Sequence, residues 1–266
     1  MGGIALVGTK GAPGTTTLAL ALGAVWPRQV CVAECDPSGG DVATRFGLPG
    51  HPGMASLVLA LRRDRVPPTS SRIEFTQHAQ ELPGGLGVIV GPSAGDSALA
   101  LDLELAGVAT PLLESSPDED TDLILDCGRF AATAAGQFAL LCEVETVVLV
   151  ARPEATSLVF AHWMATRLFS ERVDRSGLVL AVVGKTPLGA DEMAEALSIP
   201  LAGSIPIDPV GAALVGGKPG RPRALARSPL ISAATRLART ITSRGSCTRL
   251  VAETEAMTVE EHRDAG

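Results

Sequence analysis

Residues 9–17 run Thr-Lys-Gly-Ala-Pro-Gly-Thr-Thr-Thr, between an apolar stretch, Ile4-Ala-Leu-Val7, and a helix-like stretch from Thr17 to Val25. A glycine-bearing turn between strand and helix can set backbone N–H groups around a phosphate. Its common form, G-x-x-x-x-G-K-S/T, adds a lysine for the terminal phosphates and a hydroxyl for Mg²⁺. Gly14 and Thr16 fit that form, but Thr15 stands in the lysine position, Thr9 replaces the first glycine, and Pro13 brings no N–H. Lys10 lies just ahead of Gly11. Taken alone, the loop reads equally as a phosphate cradle or as a structural turn.

Two acidic segments follow. The first is Glu34-Cys-Asp36-Pro-Ser-Gly-Gly40-Asp-Val-Ala43. Carboxylates at alternate positions of an extended chain share one side, so Glu34 and Asp36 are both expected to approach a metal and nucleotide. The competing reading is a plain turn, which Asp-Pro-Ser-Gly favours. The second segment, Asp122-Leu-Ile-Leu-Asp126, is an apolar run ending in a carboxylate. Asp126 with Thr16 supplies two oxygen ligands and leaves the remaining positions to water and phosphate, a set that suits Mg²⁺.

With Lys10 ahead of its glycines, the first loop resembles the deviant Walker A loop, K-G-G-x-G-K-S/T, of the ParA/MinD family of P-loop ATPases. The resemblance continues in order through the acidic turn, a Walker B-like Asp122–Asp126, the segment Thr146-Val-Val-Leu-Val-Ala-Arg-Pro-Glu-Ala-Thr-Ser-Leu158, and Ser204-Ile-Pro-Ile-Asp208. It implies ATP or ADP with Mg²⁺, the phosphates lying along Lys10, Gly11, Ala12, Pro13, Gly14, Thr15, Thr16 and Thr17. By the same resemblance Lys10 crosses to the nucleotide of a partner subunit, Asp36 positions the attacking water, and Thr16, Asp36 and Asp126 serve the metal. Pro206 and Ile207 would border the base. Gly184, in Val182-Val-Gly-Lys185, stands where the family places an asparagine for adenine, and can offer only backbone groups. Gly40-Asp-Val-Ala43 resembles the CpaE/TadZ branch associated with Tad-type pili. The implied protein is a nucleotide-dependent homodimer that positions cargo, cytoplasmic or recruited to a pole or membrane-associated complex, with hydrolysis slowed or lost because Thr15 carries no charge. A pseudo-ATPase scaffold and a DNA-partitioning ATPase are the competing readings.

Composition narrows the field. The 266 residues are 46% hydrophobic, enough for one large α/β domain, with residues 1–244 as that domain and 245–266 as an acidic, flexible tail. No apolar run reaches the ~18 residues that cross a bilayer, and the N-terminus lacks the basic start of a signal peptide. Five cysteines show no metal or redox spacing, so they read as small buried hydrophobes. The absence of tyrosine, with 3% aromatic residues, argues against stacking on single-stranded nucleic acid. The net charge is −7, yet residues 218–252 hold eight Lys or Arg and no acid, among them Arg221, Arg223, Arg227, Arg236, Arg239 and Arg244. That stripe reads either as a face for nonspecific DNA or as solvated arginines on a last helix.

The elements that must position these residues alternate as βαβ units, predicting a doubly wound, mostly parallel sheet flanked by helices. Strands are expected at 3–8, 29–33, 87–90, 122–125, 146–151, 178–183 and 201–204. Helices are expected at 16–25, 54–62, 97–113, 131–142, 156–169, 191–197, 209–215 and 229–243. Leu230, Ala234, Leu237 and Ile241 form one apolar stripe on the last of these, expected to lie on the sheet rather than on a membrane. In such folds ligands bind beyond the carboxyl ends of the strands, where all three motifs fall.

Overall fold

Val- and Leu-rich runs, apolar at every position, form strands that need cover on both faces. The computed structural model, which describes residues 3–11, 14–63, 74–93, 95–115, 121–172, 176–185, 189–220 and 222–244, meets that need with a sheet between two helical layers. The strands are β1 (Gly3–Gly8), β2 (Gln29–Glu34), β3 (Gln80–Glu81), β4 (Gly87–Ile89), β5 (Thr121–Arg129), β6 (Thr146–Ala151), β7 (Leu178–Val183) and β8 (Leu201–Ile205). Their order is β3-β4-β2-β5-β1-β6-β7-β8, with every pairing parallel except β3 with β4. The doubly wound α/β class is therefore as expected.

The helices are α1 (Thr15–Gly23), α2 (Val42–Phe46), α3 (Met54–Arg63), α4 (Asp96–Leu105), α5 (Ala109–Glu114), α6 (Ala135–Glu143), α7 (Ala155–Glu171), α8 (Ala190–Leu197), α9 (Pro209–Val215), α10 (Pro222–Ala226) and α11 (229–244). Strand alternation divides the core. Ala5 and Val7 of β1 and Val147 and Leu149 of β6 face a layer built from α3 to α8. Ile4, Leu6, Val148 and Val150 face α1 and α11. Leu230, Ala234, Leu237 and Ile241 are all buried there, so the α11 stripe does lie on the sheet.

Three departures have local causes. The single helix expected at 97–113 breaks into α4 and α5 around Gly107, where glycine costs about 1 kcal/mol relative to alanine. α6 begins at Ala135 instead of Ala131, because the Ala131 N–H is given to the Gln137 side chain (2.8 Å) and the intervening residues turn. β3, α2 and α10 span two, five and five residues, too few for any periodicity to show. The 245–266 segment lies outside the described residues. Among the described residues no helix is long and apolar enough to cross a membrane.

Candidate functional site

β2, β5, β1 and β6 lie side by side and end at one edge, and the residues just past their ends line an open cleft of about 530 Å³. Thr9, Gly11 and Gly14 to Thr16 come from the loop after β1. Asp36 and Ser38 follow β2, Gly128 and Arg129 close β5, and Arg152 follows β6. Ala12 and Pro13 fall outside the described residues.

Gly14 is the N-cap of α1, at φ 98°, a left-handed backbone conformation that glycine adopts without strain. No side chain caps the helix. The first-turn N–H groups of Thr15, Thr16 and Thr17 thus have no acceptor within the helix, and the positive end of the helix dipole opens at the cleft. An anion is the natural partner for such an end.

Behind this turn, the Thr16 hydroxyl donates a hydrogen bond to Asp126. Asp126 is buried and also accepts the Gly128 N–H at 3.1 Å. Burial pushes its carboxyl up to about 7, with Glu34 and Asp36 nearby adding to the rise. Asp122, at the opposite end of β5, is tied instead to Arg28 (2.7 Å) and the Trp26 indole (2.7 Å). Only Asp126 of the two serves the cleft end of the strand.

Asp36 lines the cleft and accepts the Ser38 N–H at 2.7 Å. Burial raises its carboxyl, and the Ser38 contact and the Arg129 guanidinium partly offset the rise. Glu34 departs from expectation. Its Oε1 accepts the N–H groups of Asp41 (2.8 Å) and Val42 (3.0 Å), and its Oε2 that of Gly91 (3.0 Å). At 3% exposure it does not line the cleft. The alternation rule fails because the chain leaves the extended form at once, the Gly39 N–H closing a turn onto the Asp36 carbonyl at 2.9 Å. Glu34 anchors the Gly40-Asp-Val-Ala43 segment instead.

Arg129 and Arg152 were not anticipated as site residues. The segment around Arg129 is pinned from several sides. Phe130 N–H donates to the Gly8 carbonyl (3.0 Å), and the buried Gln137 amide donates to the carbonyls of Cys127 (2.6 Å) and Arg129 (2.9 Å). The Phe130 ring packs edge-on against Trp163 at 5.5 Å. Asp102, buried on α4, accepts the N–H groups of Gly136 (3.2 Å) and Gln137 (2.8 Å) and so caps α6. At Arg152, the backbone N–H donates to Ser157 Oγ (3.0 Å), which is also 2.7 Å from Thr9 Oγ1.

The remaining sequence candidates are placed as follows. Lys10 is exposed and is not among the residues lining the cleft. Gly184 lies beside Ile207, to which an added Cβ would be 3.4 Å away, at the ends of the adjacent strands β7 and β8. Ile207 is 68% exposed, and neither it, Pro206 nor Gly184 lines the same cleft. Asp208 caps α9 through the Gly211 N–H (2.8 Å) and receives the Ser228 hydroxyl (2.6 Å). Arg223, Arg227, Arg236, Arg239 and Arg244 are exposed on α10, α11 and the turn between them, and Arg221 lies outside the described residues. The described cysteines are free thiols, and burial raises Cys31 to about 12.

The donor set at the cleft fits Mg²⁺ bound with phosphate. It offers a hydroxyl and two carboxylates, all hard oxygens, with room for water. No cluster of three or more His, Cys, Asp or Glu arranged for a metal occurs among the described residues.

No family model and no curated protein matches this sequence. Solved structures do match. A ParA family ATPase from Chlorobium tepidum TLS is 17% identical, covering 89% of this chain and 97% of its own, at TM-score 0.65. MinD from Pyrococcus horikoshii OT3, in complex with Mg-ADP, is 20% identical over 88% and 93%, at 0.62. A McdA variant from Cyanothece in complex with ATP is 14% identical over 92% and 96%, at 0.63. With motifs in the same order and a sheet and cleft of this form, the chain has the fold of the ParA/MinD-type P-loop ATPases.

Proposed function

We propose that this chain is a nucleotide-operated switch that takes Mg-ATP in the cleft after β1 and pairs with a second copy of itself when loaded. The observation that carries the reading is the Thr16 hydroxyl on Asp126 with Asp36 on the same cleft, three oxygen-bearing side chains from three separate elements. Their meeting is what phosphate and Mg²⁺ require, and a structural turn needs none of it. The complexes of similar structures, Mg-ADP with MinD and ATP with McdA, support the same ligand class.

In this reading the N–H groups at the start of α1 hold the phosphates. Thr16 and Asp126 hold the metal, which when bound neutralises charge on the phosphate oxygens. Asp36 orients a water, and Lys10, exposed here, reaches the nucleotide of the second copy. Gly184, Pro206 and Ile207 border the base. Thr15 donates a hydrogen bond and no charge, so hydrolysis is slow or absent, because phosphoryl transfer depends chiefly on positioning and electrostatics. A MinC:MinD complex among the similar structures supports a protein partner as the output of the switch. Recruitment to a Tad-type pilus assembly rests on a resemblance at Gly40-Asp-Val-Ala43, with weaker matches at 54–62 and 86–92, and the first segment has a structural task here.

The test is calorimetric titration of ATP and ADP with Mg²⁺ into the full chain, together with its mass by light scattering. Wild type is expected to bind and to double its mass with ATP but not with ADP. Thr16→Ala is expected to lose the Mg²⁺ dependence of binding. No uptake at millimolar nucleotide would end the proposal.

A further inference from the structure

We infer that Arg129 supplies, from within the same subunit, the positive charge that Thr15 leaves out of the phosphate loop. The inference rests on the nucleotide reading of the cleft and names a residue that the loop sequence does not contain.

Register carries the first part of the argument. β5 pairs with β1 as Leu6 to Asp126, then as Gly8 to Arg129, so β5 holds one residue more than β1 over that step. Such a bulge turns the following side chain to the opposite face. Leu6 faces α1, and Asp126, its partner in register, meets Thr16 of α1. In a regular strand Arg129 would have the parity of Cys127, which packs in the other layer. The extra residue gives Arg129 the register of Gly8, and it lines the cleft with Thr15 and Thr16. The bulge depends on Gly128, at φ 58°, where an added Cβ would come within 1.9 Å of Asp36 Oδ2.

Rigidity carries the second part. The backbone at Arg129 is fixed by the Gln137 amide and by Phe130, while its side chain is exposed and, among the described residues, forms no ion pair within 4.0 Å, its charge acting instead on Asp36 of the same cleft. Arg152, the other cation of the cleft, lies 3.8 Å from Glu154, so part of its charge is already engaged. A planar guanidinium held at an anion site offers paired donors to phosphate oxygens.

ADP and AMP are titrated into full-length wild type, Arg129→Ala, Arg129→Lys, Arg152→Ala and Thr15→Lys, and into Arg129→Ala combined with Thr15→Lys. Thermal melting of each confirms the fold. Arg129→Ala is expected to weaken ADP about 10- to 100-fold while changing AMP less than about 3-fold, since a charge-assisted contact to the outer phosphate is lost. Arg129→Lys should retain most of the affinity, and Thr15→Lys should restore ADP binding to Arg129→Ala. If wild type binds ADP and Arg129→Ala binds it equally, or if Arg152→Ala alone abolishes binding, the assignment to Arg129 falls and the nucleotide reading stands. If neither wild type nor Thr15→Lys takes up ADP, both fall together.

Discussion

At the scale of single residues, Asp126 holds a proton that an exposed aspartate would have lost. Its carboxyl lies at about 7 against an ordinary 3.8, and burial is the main cause. Because the folded value stands above the unfolded one, the native state binds the extra proton. Stability therefore falls as pH rises from the ordinary value to the raised one, and the penalty is complete above about 7. Asp126→Asn removes the charge. Without nucleotide or Mg²⁺ it is expected to be more stable than wild type above neutrality, by roughly 1–3 kcal/mol, with the difference vanishing in acid. Urea unfolding across a pH series measures this, and parallel profiles would refute it. Glu34 offers the opposite test. Glu34→Ala leaves the buried N–H groups of Val42 and Gly91, and the part-buried one of Asp41, without their acceptor, and at about 1–3 kcal/mol for each buried group a loss of at least ~2 kcal/mol is expected in the same assay. The placement of Thr16 and Asp36 on the cleft, with Asp126 behind Thr16, was legible in the sequence because each sits in a motif whose spacing sets it at a strand end. Glu34 was misread, and Arg129 missed, because both depend on where a strand stops being regular.

At the scale of elements, the most informative contact is Gln137. A residue near the start of α6 holds the carbonyls of Cys127 and Arg129 and the N–H of Ala131, while Asp102 of α4 holds that helix start in turn. α4, α6 and the end of β5 are therefore one unit. Gln137→Leu keeps the volume and removes the partners, with an expected cost of about 2–4 kcal/mol and faster amide exchange at Ala131. Unchanged exchange there would show that the loop stands without it. Nothing in the sequence announced this, since Gln137 reads as one polar residue in an apolar helix. The seven expected strands were legible because each is an apolar run bounded by turn residues, whereas the α4–α5 break hung on one glycine within a helical pattern.

At the scale of the whole molecule, the sheet is covered on both faces, and α11 completes one of them. Leu237 is fully buried and faces Gly203 of β8, where an added Cβ would lie 3.7 Å from its Cδ1. Leu237→Ala should cost about 2–5 kcal/mol and lower the midpoint of a single unfolding transition. Persistence of the wild-type midpoint would show that α11 adds nothing to the core. The long-range tie between Thr9 and Ser157 has a last consequence. Ser157 accepts the Arg152 N–H and meets Thr9 at 2.7 Å, and since both hydroxyls are wholly enclosed either one can be the donor between them. One hydroxyl hydrogen therefore fills that gap and the other is left to seek a further acceptor, beside a cleft where most phosphate loops have no side chain at all.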